Sequence, residues 1–161
     1  MPEPTLPPGP SGPPEPAHTP PPGADAAEPA LPLCRSDQLL ERGRAFVWDV
    51  LLYRQPARAF ALRIDGRLVA YINRCVHVPT ELDWQPGEFL DADRRFILCS
   101  IHGAAYAPED GRCVGGPCGR GKLMPVAVSE HEGMASWYPS RDIRPVDAAP
   151  TAAPPAAAPQ P

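Results

Sequence analysis

Lysine, net positive charge and long apolar runs are all scarce in this sequence. Lys122 is its one lysine beside fourteen arginines, and with nineteen acidic residues the formal net charge is −4. Because nucleic-acid binding depends on cations that neutralise phosphates, an acidic chain without a basic run is not expected to bind nucleic acid. No apolar stretch approaches the roughly 20 residues that a membrane-spanning helix needs, so no membrane contact is expected either.

A secretory signal is not expected either. The first residues contain no basic segment followed by an apolar core, so we expect a cytoplasmic location. In that compartment the five cysteines should be reduced or metal-bound rather than paired. Cys34 has no neighbouring Cys or His, and we expect it to be a small apolar residue at the edge of the domain.

Proline, by contrast, is abundant at both ends. Thirteen of the 26 prolines lie in residues 1–32, and six more lie between Pro145 and Pro161. Such segments carry too little apolar surface to offset the entropy cost of ordering. We therefore expect disordered tails over residues 1–32 and 147–161, and one folded domain over residues 33–146.

The central segment has the pattern of an all-β domain with one short helix at its start. Residues 36–43 predict the helix, with Ser36 as its N-cap and Gly43 as its left-handed end. Runs of aromatic and β-branched residues predict strands, and Asp65-Gly66 predicts a hairpin turn between two of them. The first predicted strand is 45–53, and Gln55-Pro56 is predicted to separate it from the next. The further predicted strands are 59–64, 67–73, 89–90, 95–98, 123–128 and 133–138. A long loop is predicted over 79–89.

Two pairs of Cys and His stand out in this domain. Cys75 and His77 are separated by one residue, and Cys99 and His102 by two, with 21 residues between the pairs. Each pair follows a predicted strand directly, so two loops at the ends of paired strands could converge on one site. Thiolate and imidazole ligands together suit zinc or iron.

The order within the pairs bears on the choice of metal. Structural zinc sites usually place two Cys together and two His together, whereas here each loop is mixed with Cys first. A single tetrahedral zinc could accept this arrangement. A two-iron cluster explains it better, because thiolates from both loops would hold one iron and imidazoles from both loops the other.

These residues resemble the Rieske [2Fe–2S] domain family, whose pattern is Cys-x-His and then Cys-x-x-His-Gly. Gly103 follows the second His, Gly116-Pro117 matches the family's proline loop, and Tyr106 matches a tyrosine that donates to a cluster cysteine in some members. The resemblance covers about residues 69–128. It implies a Rieske-like antiparallel β-sandwich, whose cluster-binding subdomain at about 74–120 is formed by the two Cys/His loops.

The resemblance also implies roles for these residues. Cys75 and Cys99 would ligate the inner iron, and His77 and His102 the outer iron, in one [2Fe–2S] cluster per chain. Gly103, Tyr106, Gly116 and Pro117 would surround the ligands. Replacing two Cys by two His places the potential of such clusters at about −150 to +300 mV.

Position 104 bears on the potential within that range. High-potential respiratory members have a serine there, which donates to a bridging sulfide, but this chain has Ala104. The side chain of Ala104 has no hydrogen-bond donor, whereas that of Tyr106 has one. We therefore expect a reduction potential below that of the respiratory members.

Cys113 and Cys118 flank the Gly-Gly-Pro loop and belong to neither ligand pair. They could form a disulfide that staples this loop. In a reducing cytoplasm we expect two free, partly buried thiols instead.

The function implied is that of a soluble, ferredoxin-like electron carrier, not an enzyme, since no second iron site is available for catalysis. It would pass electrons from a reductase to an oxygenase or similar acceptor as a monomer that docks transiently. Two alternatives remain open: a redox or iron sensor that uses the same cluster, and a structural zinc module whose proline-rich tails recruit other proteins.

Overall fold

The computed structural model describes residues 29–147. This part of the chain contains ten strands, all paired antiparallel. They are β1 (Leu31–Arg35), β2 (Phe46–Leu52), β3 (Gln55–Ile64), β4 (Arg67–Ile72), β5 (Ile97–Leu98), β6 (Ala105–Tyr106), β7 (Cys113–Gly115), β8 (Val128–His131), β9 (Met134–Trp137) and β10 (Ile143–Pro145). The strand orders of the three sheets are β1-β9-β8, β10-β2-β3-β4 and β5-β6-β7. The predicted all-β fold class is confirmed. Most of the two predicted tails lies outside the described residues.

Strands β2, β3 and β4 form a meander with two tight turns. Asp65 and Gly66 have φ of 50° and 75°, which suits the predicted hairpin turn. The predicted break at Gln55-Pro56 is wrong: the first turn is Tyr53-Arg54, with φ of 49° and 66°, and Gln55 already pairs with Leu52. Proline is tolerated near the start of a strand, so Pro56 lies inside β3.

The predicted N-terminal helix is shorter than expected. Only Ser36–Gln38 forms a single 3₁₀ turn, and its N-cap is Arg35 rather than Ser36. The Arg63 side chain donates to the carbonyls of Ser36 and Leu39, which a longer helix would have used internally. Gly43 does not have a positive φ, whereas Arg42 does, at 48°.

The segment before β8 is extended but is not a continuous strand. Met124 accepts from the Ile72 amide and Val126 donates to the Ala70 carbonyl, so this segment lies along β4. The predicted strand at 123–128 therefore marks a real extended segment, while the paired strand begins at Val128. The following strand, predicted at 133–138, is confirmed as β9.

The buried side chains form two main clusters. One lies between the first two sheets and includes Trp137, Val50 and Ile143. The other lies beneath the two Cys/His loops, where the rings of Phe60 and Phe89 stack with centroids 3.7 Å apart. The second cluster packs the four-stranded sheet against the two Cys/His loops, so the loops rest on a closely packed core.

Candidate metal centre

The two Cys/His loops follow β4 and β5, which belong to different sheets, so the expectation that the two preceding strands pair with each other is wrong. The first follows β4 and is tightened by a hydrogen bond from the Cys75 amide to the Thr80 carbonyl, 2.8 Å. The second is the turn between β5 and β6, closed by hydrogen bonds from the Cys99 amide to the Ala104 carbonyl and from the Gly103 amide to the Cys99 carbonyl, both 2.8 Å. Both loops are thus shaped by their own backbone hydrogen bonds.

Three of the four predicted ligands lie together. The ligand atoms of Cys75, Cys99 and His102 are all within 4.8 Å of one another, and both thiols are free and buried. The fourth, His77, lies outside this set and is exposed at the tip of its loop. Its ring still meets that of His102 edge-on, with centroids 5.2 Å apart. The thiols therefore lie on the inner side of the site and the imidazoles on its outer side.

Hydrogen bonds distinguish the two thiols. Burial raises the pKa of the Cys75 thiol, but the Tyr106 hydroxyl and the amides of Val78 and His77 outweigh it, and the pKa falls below its usual value. Burial and the neighbouring Cys75 raise the pKa of Cys99 despite the His102 and Ile101 amides. The two thiols therefore influence each other, and a thiolate at one position disfavours a thiolate at the other.

Gly116, in the predicted proline loop, packs against the second Cys/His loop. Gly116 has φ +79°, and a Cβ there would come within 2.5 Å of the Gly103 carbonyl oxygen. Only glycine allows the backbones to approach this closely. Ala104 beneath it is fully buried.

The expectation of free thiols in this loop is wrong. Cys113 and Cys118 form a disulfide, with Cα atoms 5.9 Å apart. That separation is ordinary for a disulfide, and the turn at Gly116 brings the two cysteines together. The expectation was drawn from the redox state of the cytoplasm, and it left out the geometry of the loop.

Asn73 is a supporting residue that the sequence analysis missed. It is buried, and its side chain accepts from the Leu82 amide at 2.8 Å and donates to Asp83 at 2.7 Å. Leu82 in turn accepts from the Ser100 amide at 2.9 Å. Asn73 thus couples both Cys/His loops to the segment between them. Its position was the available signal: it lies two residues before Cys75 and directly after the apolar and aromatic run 68–72.

Comparison with known families decides the nature of this centre. The family model of the Rieske [2Fe-2S] domain matches residues 30–131, well over half of the chain. The chain belongs to the Rieske [2Fe–2S] domain family. As a Rieske domain, it binds a [2Fe–2S] cluster.

Solved structures share this Rieske fold. The ferredoxin of carbazole 1,9a-dioxygenase from Nocardioides aromaticivorans IC177 is 19% identical with a TM-score of 0.54, over 69% of this chain and 98% of that one. The terminal oxygenase from the same organism is 20% identical with a TM-score of 0.54, over 72% of this chain and 31% of that one. The terminal oxygenase of carbazole 1,9a-dioxygenase from Novosphingobium sp. KA1 is 22% identical with a TM-score of 0.53, over 69% of this chain and 30% of that one. This chain therefore matches less than a third of the oxygenase chains. No curated protein matches it.

The donor set fits the cluster of a Rieske domain. Two buried thiols lie side by side without forming a disulfide with each other, and two imidazoles lie on the open side. Thiolate and imidazole are the ligand types that such a cluster takes. Residues 29–147 contain no helix that could span a lipid bilayer.

Proposed function

We propose that this protein is a one-electron carrier that receives electrons from a reductase and delivers them to an oxygenase or similar acceptor. The observation that carries the proposal is the convergence of Cys75, Cys99 and His102 within 4.8 Å, with the His77 ring beside them. When bound, the [2Fe–2S] cluster supplies reversible one-electron chemistry. The Rieske ferredoxin of similar fold, matched over 98% of its length, supports a role as a separate carrier.

Cys75 and Cys99 hold the inner iron in this proposal, and His77 and His102 hold the outer iron. The burial of both thiols and the exposure of His77 support this division. The folded loops exclude water from the sulfur side, while the imidazole edges face a docked partner. Gly103, Gly116 and Pro117 keep the proline loop over this side, and Tyr106 orients the Cys75 sulfur.

The chain as a whole is proposed to consist of a Rieske domain, with its cluster-binding part at about 74–120, between two tails. The expected boundaries were 1–32, 33–146 and 147–161, but β1 already starts at Leu31, so the domain begins there. The carrier has no catalytic site of its own and acts as a monomer in the cytoplasm. Its contacts with partners are brief and small, as is usual for electron-transfer encounters.

Metal analysis of the purified protein tests the proposal. We expect a red-brown protein with two irons and two sulfides per chain, and a rhombic EPR signal after reduction. A colourless protein with one zinc would overturn it in favour of a structural module. A carrier also exchanges electrons with a reductase and an acceptor at useful rates, which a sensor does not need to do.

Matched variants test the ligands. Cys99→Ser should abolish the visible absorption, whereas Cys34→Ser, a buried free cysteine outside the site, should retain it. His102→Ala should likewise lose the EPR signal, and His131→Ala, at an exposed hairpin, should keep it. Equal losses in each pair would contradict the proposed ligand set.

A further inference from the structure

A cationic pocket borders the loop that carries Cys75 and His77. Arg74 and Lys122 line it together with Tyr53, Val76 and Pro79, and no acidic residue lines it. Both cations are exposed, and neither forms an ion pair within residues 29–147. By contrast, six other arginines among the described residues form ion pairs.

The acidic residues nearest this loop are already engaged. Glu81 forms a two-pronged ion pair with Arg58. Asp83 accepts from Asn73 and from the Gly87 amide. Arg58 thus offsets the charge of Glu81, while the Asp83 carboxylate is held by neutral donors on the side of Asn73 and Gly87.

Lys122 also borders a second pocket, where Glu109 and Asp110 lie, but it forms no ion pair with either in the described structure. Arg120 lies in the neighbouring turn, whose Gly121 packs directly against Val76. Arg120 too has no ion pair among the described residues.

Exposed apolar side chains surround the histidines. Val76 and Val78 on either side of His77 are 41% and 37% exposed, and Ile101 beside His102 is 54% exposed. An apolar centre with charges at its edge is the usual composition of a protein docking surface.

We propose that this face docks an acidic redox partner protein, one that carries Asp and Glu side chains around its own electron-transfer site. The inference rests on the proposed function and names the kind of partner. Charges at the edge of an interface mainly steer encounter and orientation, so Arg74 and Lys122 would guide carboxylates toward the histidine edge. The apolar side chains would then exclude water from the contact.

The test measures electron transfer from the reduced protein to acceptors of opposite charge. Hexacyanoferrate(III), an anion, and tris(phenanthroline)cobalt(III), a cation, each take one electron and become iron(II) and cobalt(II). Acidic plastocyanin and basic cytochrome c are their protein counterparts. Rates to the two negative acceptors should fall as salt is added, although the net charge of −4 alone predicts that they rise. A rise with the negative acceptors would overturn the proposal without any variant being made.

Two double variants separate local charge from net charge. Arg74→Glu with Lys122→Glu, and the control Arg67→Glu with Arg95→Glu, each reverse two cations and so lower the net charge by four, from −4 to −8. Arg67 begins β4, at the end remote from Cys75, and Arg95 is an exposed residue before β5. At low salt the first pair should slow transfer to hexacyanoferrate(III) about tenfold more than the control.

Unchanged absorption and EPR spectra would show that both double variants keep the site. Equal slowing by the two pairs would overturn this inference and leave the carrier function standing. A chain without a reducible cluster would overturn both.

Discussion

The Tyr106 hydroxyl lies 3.4 Å from the Cys75 sulfur and accepts a hydrogen bond from the Val76 amide at 3.1 Å. Because its oxygen is already occupied as an acceptor, the hydroxyl proton is directed at the sulfur. Burial and the nearby Cys75 raise the pKa of Tyr106, so the proton stays on the oxygen at neutral pH. One buried side chain thus ties the first Cys/His loop to β6, the strand that follows the second.

Replacing Tyr106 by Phe should lower the reduction potential. The hydrogen bond that the variant loses stabilises the more electron-rich reduced state relative to the oxidised state. A difference of about 1 kcal/mol between the two states corresponds to roughly 40 mV for one electron. A potentiometric titration followed by EPR measures the change. Tyr71→Phe is the matched control, since the buried Tyr71 hydroxyl donates to the Pro108 carbonyl instead. A tyrosine that only packs would leave the potential unchanged in both variants.

The potential of the unmodified protein should lie below that of respiratory Rieske proteins, because Ala104 has no hydroxyl to donate. Ala104 is fully buried beneath Gly116, so solvent does not replace the missing donor. Ala104→Ser should raise the potential in the same titration. Ala107→Ser, at another buried alanine, is the control. A value for the unmodified protein that equals the respiratory range would refute this account.

Gly116→Ala should weaken the closure of the proline loop. The new Cβ would meet the Gly103 carbonyl oxygen and the Ala104 backbone, at a cost of about 1–3 kcal/mol beyond the backbone strain. Gly133→Ala isolates that strain, because Gly133 has φ +76° and nothing lies within 4 Å of its Cβ position. Chemical denaturation gives both free energies of unfolding, and loss of visible absorption over time reports on the site. If both variants lose the same stability, the close approach at Gly116 is unimportant.

Removing the disulfide with Cys113→Ser and Cys118→Ser should lower the free energy of unfolding by about 2 kcal/mol, as expected for so short a closed loop. The denaturation midpoint measures this change. Dithiothreitol should lower the midpoint of the unmodified protein equally and leave the double variant unaffected. Mass spectrometry after thiol alkylation identifies the bond directly, and full alkylation of both cysteines without reductant would contradict it.

Stability should also depend on pH through Glu130. The bidentate hydrogen bonds from Arg63, at 2.9 and 3.0 Å, hold the pKa of Glu130 below its usual range in the folded protein. The pair therefore stabilises the fold above the unfolded pKa of about 4.3, and the contribution is lost as pH falls through the folded pKa. Glu130→Gln should cost about 1 kcal/mol at neutral pH and little near about pH 2. Glu109→Gln, at an exposed position, is the control, and a cost independent of pH would contradict the assignment.

Local patterns in the sequence predicted much of the fold. The turn at Asp65-Gly66 and the strands around it follow from the conformational preferences of these residues, which do not depend on distant contacts. Predictions were wrong where a distant side chain competes. The Arg63 side chain donates hydrogen bonds to the carbonyls of Ser36 and Leu39, and this long-range contact limits the helix to one turn.

The sequence by itself determined the donor chemistry of the site, because two mixed Cys/His pairs after strands suit few metal centres other than a Rieske cluster. Only the tertiary structure decided which atoms surround those donors. Asn73 joins the two loops, Tyr106 reaches Cys75 across 31 positions of sequence, and Cys113 meets Cys118 where Gly116 turns the chain. The reason is physical. Ligand type is a property of single residues, whereas a hydrogen bond or disulfide requires the distances and directions that packing sets.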